Sequence, residues 1–207
     1  TTTFSGGKEP PVGNPPVPEK KYYNVSVTSS SAEKGTVTVE GVADGKAEEG
    51  SDITITAVPR EGYEFVKWSD GNNVNPRTIN VKDNITLTAQ FSAKQYNIIY
   101  KVDGSDYKTV TVEYGSEVTP IAAPEKEGYT FSGWKGLPES TMPAHDVTVN
   151  GTFSVNSYTL TYIYNNETVK EIMLEYGSEI PAFNYVPENP NHTFVGWRPE
   201  GYTPMPA

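Results

Sequence analysis

Residues 52–58 read Asp-Ile-Thr-Ile-Thr-Ala-Val, with apolar and polar side chains alternating, and the same alternation runs through residues 36–40 and 84–89. A period of two puts successive side chains on opposite faces, which is the pattern of a half-buried strand. The Thr, Val, Ile and Tyr that fill these stretches suit a pleated surface covered on one side. Asp44-Gly45, Asp70-Gly71 and Asp103-Gly104 predict tight turns between strands, because both residue types tolerate the backbone a short hairpin needs. No window of helical length carries a 3.6-residue period, so the proline-bearing segments 120–124 and 181–187 predict at most a short helical turn. The fold class that follows is mainly β.

The strand pattern repeats on a larger scale. Gln95-Tyr96-Asn97-Ile98-Ile99-Tyr100 is answered by Ser157-Tyr158-Thr159-Leu160-Thr161-Tyr162, and Glu113-Tyr114-Gly115-Ser116-Glu117 by Glu175-Tyr176-Gly177-Ser178-Glu179. Tyr129-Thr130-Phe131-Ser132-Gly133-Trp134 is answered by His192-Thr193-Phe194-Val195-Gly196-Trp197, and Met142-Pro143-Ala144 by Met205-Pro206-Ala207. The first two pairs are offset by 62 residues and the tryptophans by 63, so one residue is inserted between the Tyr-Gly-Ser-Glu turn and the tryptophan. A fixed period broken by one loop residue predicts duplicated modules. Upstream, Gly62-Tyr63-Glu64-Phe65-Val66-Lys67-Trp68 and Ala89-Gln90-Phe91 follow the same plan more loosely. The expected organisation is a linker at 1–20, a divergent module at 21–93, a module at 94–155 and a module at 156–207. These small β-rich modules would be strung in an elongated arrangement. The last is expected to be incomplete and the least stable, since the earlier copy continues past Met-Pro-Ala into Val147-Thr148-Val149-Asn150-Gly151. An unpaired strand edge invites pairing with another chain.

Composition narrows the function classes. Pro10, Pro11, Pro15, Pro16 and Pro18 forbid helix or inner strand over residues 1–20, which therefore reads as a semi-rigid spacer. The chain is 35% hydrophobic but holds 14 Tyr, 7 Phe and 3 Trp, a profile suited to thin modules with aromatic cores. A net charge of −10 is repelled by phosphate backbones and anionic membrane surfaces, so no nucleic-acid partner is expected. With no cysteine, a disulfide framework, a thiolate nucleophile and a Cys-bearing zinc site are excluded. No stretch has the length and apolarity of a membrane span, so no membrane insertion is expected within this segment.

In Gly128-Tyr129-Thr130-Phe131-Ser132-Gly133-Trp134, Tyr129 and Phe131 share one strand face, while Trp134 falls out of phase unless the strand bends. Gly133 permits that bend; Lys67 stands in its place in the first module. The structural reading puts these rings in a small core. The functional reading stacks sugar rings on exposed tryptophan and tyrosine, with Tyr22, Tyr23, Tyr107, Tyr164, Tyr185 and Tyr202 as surplus candidates. An exposed aromatic patch recurring at equivalent places would separate the two.

Taken together, Tyr-Gly-Ser-Glu, then Lys-Glu-Gly-Tyr-Thr-Phe-Ser-Gly-Trp, then Met-Pro-Ala-His-Asp-Val-Thr-Val-Asn-Gly-Thr-Phe resembles the internalin-type B repeat, also called the Listeria–Bacteroides repeat. Residues 94–155 carry the whole pattern, 156–207 carry it as far as Met-Pro-Ala, and 21–93 resemble its divergent form. The resemblance implies β-grasp-like modules in tandem on secreted or surface-attached bacterial proteins, acting as stalks or as adhesion and interaction modules. It implies no catalytic, cofactor or metal motif. His192, where the pattern has Tyr, is a departure.

Other chemistry has little to stand on. A triad or His-based metal site would need His145 and His192 to converge from different modules. Ser69-Asp70-Gly71-Asn72-Asn73 and Asp103-Gly104-Ser105-Asp106 offer oxygens for Ca²⁺ but match no full loop spacing and read as turns. The expectation is therefore a non-enzymatic extracellular or cell-surface repeat protein without catalytic, cofactor or metal residues. The alternative is a module that binds a surface glycan or a host protein through exposed aromatics.

Overall fold

The computed structural model describes residues 2 and 19–197, so all five prolines of the spacer, Tyr202 and the closing Met205-Pro206-Ala207 lie outside the described residues. The chain divides into two compact units at the boundary between Ser92 and Ala93. All regular structure among the described residues is strand.

The first unit holds β1 (Tyr22–Ser29), β2 (Gly35–Glu40), β3 (Lys46–Glu48), β4 (Asp52–Pro59), β5 (Tyr63–Trp68), β6 (Arg77–Asn80) and β7 (Ile85–Ala93). One sheet has the order β3-β1-β7-β5 and the other β2-β4-β6. The pair β1–β7 is parallel, from Val25 opposite Ile85 to Ser29 opposite Ala89, and β4 pairs antiparallel with both β2 and β6. The alternation read in residues 52–58 is realised in β4, where Ile53, Ile55 and Ala57 face inward. They close a core with Trp68, Val81, Leu87, Ala89 and Phe91.

The second unit holds β8 (Gln95–Val102), β9 (Ser105–Glu113), β10 (Tyr129–Phe131), β11 (Val147–Gly151), β12 (Phe153–Val155), β13 (Ser157–Tyr164) and β14 (Glu167–Glu175). Its sheets are β11-β8-β9, β10-β12 and the hairpin β13-β14. The pair β8–β11 is again parallel, with Ile98 opposite Val147. Counting by 62 residues, β7 corresponds to β11 and β12 together, with Thr152 marking the break between them. Ile98, Tyr100, Met142 and Val149 form the buried centre, ringed by Tyr96, Val110, Val112, Trp134 and Val147.

Turn chemistry follows the sequence at two of the three expected places in its tightest form. Asp44-Gly45 and Asp103-Gly104 both have positive φ at both residues, the geometry whose twist matches flanking strands. At Asp70-Gly71 only Gly71 does, and its N–H closes on the Trp68 carbonyl at 2.9 Å. The β13–β14 hairpin turns on Asn165-Asn166, also both positive; asparagine replaces the Asp-Gly found 62 residues earlier.

Pairing and burial diverge between the two copies in the second unit. Among the described residues β13 pairs with β14 alone. Leu160 and Tyr162 are half-buried there, whereas their counterparts Ile98 and Tyr100 are each 1% exposed.

Candidate interaction surface

Each of the three tryptophans donates its indole N–H to a backbone carbonyl: Trp68 to Val74 at 2.9 Å, Trp134 to Ile121 and Trp197 to Tyr185, both at 3.1 Å. A buried indole needs such a partner, and each tryptophan also packs in a ring cluster. Trp68 is fully buried, 5.2 Å from Phe65. Trp134 meets Tyr100 edge-on at 4.9 Å and Phe131 at 4.8 Å. Trp197 lies between Tyr162, Phe183 and Phe194 at 5.2 to 5.3 Å.

The phase problem at the tryptophan is solved in two ways. In the second unit β10 stops at Phe131 and Gly133 turns with φ of 82°, bringing Trp134 back to the face of Tyr129 and Phe131. Where Lys67 replaces the glycine, β5 runs on to Trp68 with Val66 and Lys67 both outward, so the phase slips by one residue within the strand.

The carboxylates and histidines singled out above have partners close at hand. Asp70 Oδ2 sits 2.6 Å from Arg77 Nη1, and its Oδ1 accepts the Asn72 N–H. The Arg77 hydrogen bond is the main reason its carboxyl is held below the ordinary carboxylate range. Asp103 Oδ1 accepts the N–H of Phe153 at 3.0 Å. Asp146 Oδ1 accepts the N–H of Asn97 at 2.7 Å, and Asn84, 62 residues earlier, does the same for Asn24 at 2.9 Å. This side-chain clamp stands at the entry to both parallel pairs. His145 and His192 are both exposed; each bonds to a near neighbour, Asp146 and Asn189 respectively. Among the described residues no group of three or more His, Asp or Glu is arranged to hold a metal ion.

Among the described residues the exposed aromatics are Tyr22, Tyr107 and Tyr185, each about half exposed. They do not occupy equivalent places: Val169 stands 62 residues after Tyr107, and Ala123 and Ala122 lie 62 and 63 before Tyr185. Tyr23 and Tyr164 are half-buried. Tyr107 has its ring against that of a tryptophan, 6.0 Å from Trp134, while Tyr185 meets Trp197 through its backbone carbonyl. A shallow open depression of about 600 Å³ lies elsewhere on the second unit, lined by Pro124, Lys126, Tyr129, Phe131 and Phe153 among others. Lys126 Nζ caps the Tyr129 ring at 3.7 Å, a cation held over the ring's negative face.

Among the described residues no helix is long and apolar enough to cross a membrane. Residues 25–95 match the model of the divergent InlB B-repeat domain, and residues 96–152 and 158–201 match that of the Listeria-Bacteroides repeat domain. A protein of Evansella cellulosilytica named as a membrane protein is 30% identical over 196 residues, which is 86% of this chain and 28% of that protein. A second from the same organism, named as a Gly-rich membrane protein, is 29% identical over 86% of this chain and 22% of its own length. Internalin H of Listeria monocytogenes is 29% identical over 142 residues, covering 64% of this chain and 25% of that protein. The chain thus spans about a quarter of the length of the curated relatives it matches. The two family models meet the chain along nearly all of its paired strands, and the chain belongs to the internalin-type B-repeat family, with a divergent B repeat followed by two Listeria–Bacteroides repeats.

Proposed function

We propose that this chain is part of a bacterial cell-surface protein in which three B-repeat modules, at 21–93, 94–155 and 156–207, serve as a non-catalytic stalk and interaction segment. The observation that carries this reading is how the chemistry-bearing residues are used. Trp68 and Trp134 are spent on cores, Trp197 packs in a ring cluster, and Asp70, Asp103 and Asp146 hold turns and strand entries. The names of the relatives, membrane proteins and an internalin, point to the same compartment. An antibody raised against the 207-residue chain should label intact cells of the producing bacterium, and external protease should abolish the labelling. Labelling only after lysis would overturn the reading.

The glycan-binding alternative has one observation in its favour, the half-exposed Tyr107 beside Trp134. Exposed rings at non-equivalent places argue against a platform repeated along the array. A glycan array probed with the chain decides it: saccharide binding that Tyr107→Ala abolishes would favour the alternative, and no binding would favour the stalk.

A further inference from the structure

The two copies in the second unit meet through a small set of main-chain and ring contacts. The N–H of Asn156 donates to the Gly128 carbonyl at 2.8 Å, and within the later copy the N–H of Tyr176 holds the Asn156 carbonyl at 2.8 Å. Thr130 Oγ1 donates to Asn156 Oδ1 at 2.5 Å. The Tyr176 ring lies against Gly128 so closely that a Cβ there would come within 2.1 Å of it. Gly128 also has φ of 75°, a backbone that side chains beyond hydrogen resist. Tyr176 meets Tyr129 edge-on at 6.1 Å, and Tyr129 meets Phe153 at 6.4 Å. From there Phe131, Trp134 and Tyr100 continue the series of ring contacts into the buried centre of the earlier copy.

We infer that Gly128, Asn156 and Tyr176 form a docking joint that fixes the later repeat on the earlier one, with the tyrosine of Tyr-Gly-Ser-Glu as its key and Gly128-Tyr129 as its lock. The module boundary would otherwise be a single-residue connection between β12 and β13, free to swivel. Two hydrogen bonds and a seated ring remove that freedom, and the ring series ties the joint to a core that is itself close-packed. The same logic gives the joint a specificity. The later repeat has Asn191-His192 where the earlier has Gly128-Tyr129. Asn191 carries a Cβ and is not among the positive-φ residues. A tyrosine cannot seat on it as Tyr176 seats on Gly128, so the lock is present once within this unit.

The chain has no cysteine, so Thr109→Cys with Met173→Cys places two spin labels cleanly, one on each copy at exposed positions. Double electron–electron resonance on the full chain should give one narrow distance peak. Tyr176→Phe, which keeps the ring, should preserve it. Tyr176→Ala and Gly128→Ala should each lose it, while the Trp134 indole signal stays in place. The double variant should be no broader than either single, since both remove one contact. A broad distribution in the unsubstituted chain, or a peak in Tyr176→Ala as narrow as in Tyr176→Phe, would overturn the joint and leave the surface-repeat reading standing. If Gly128→Ala displaces the Trp134 signal, the contrast between the two Tyr176 variants decides alone.

Discussion

Asp146 and Asn84 do the same work with different side chains, because either offers an oxygen in the right place and the N–H of Asn97 or Asn24 needs an acceptor. Asp146→Asn should therefore fold as well as the parent. Asp146→Ala should lower the stability of the second unit by about 1 kcal/mol, the usual worth of such a bond, read from a shifted urea midpoint. Asp70 gives a pH-dependent counterpart. Its folded carboxyl is held below the ordinary value, so the Arg77 contact adds stability above that value and loses it as pH falls through the folded one. Asp70→Asn should cost no more than about 1 kcal/mol at neutral pH for so exposed a pair. That difference should close at pH below about 3.9, and a constant difference across pH would contradict the assignment. These roles were invisible in the sequence. An Asx side chain before a strand reads as a turn until the partner N–H, 49 residues away for Asp146, is known.

Strands were the most legible elements, and β4 is the clearest case: its alternation names its inward residues Ile53, Ile55 and Ala57 without further help. Pairing was not legible, because alternation says which face is buried but not which edge is bonded. The parallel register of Val25 with Ile85 depends on a crossover of some 60 residues that no local pattern encodes. The Asn165-Asn166 turn escaped notice because Asp-Gly and Asn-Gly are the stronger signals, yet asparagine tolerates positive φ nearly as well. At this scale the hairpin β13–β14 carries its own prediction. Its inward residues Leu160 and Tyr162 are less buried than Ile98 and Tyr100, and opening free energy tracks burial. Backbone amides of β13 and β14 should exchange with deuterium faster than those of β8 and β9. Equal protection would show that packing outside the described residues closes this sheet.

For the whole molecule, the 62-residue period and the Gly-Tyr-x-Phe-x-x-Trp motif sufficed to give the family, while the candidate surface was only half visible. Sequence could count the surplus tyrosines but not tell which were spent, and three-dimensional packing half-buries Tyr23 and Tyr164 while leaving Tyr107 open. The account turns on one claim, that the tryptophans of the repeated motif build cores and are not a platform for ligand. Their indole N–H protons report on it directly by nuclear magnetic resonance. The account predicts three resolved indole signals that exchange slowly with solvent, Trp68 slowest as the fully buried ring, and that do not move when chitin or cellulose oligosaccharides are added. Indole protons that exchange as fast as free tryptophan, or that shift together on adding saccharide, would contradict it.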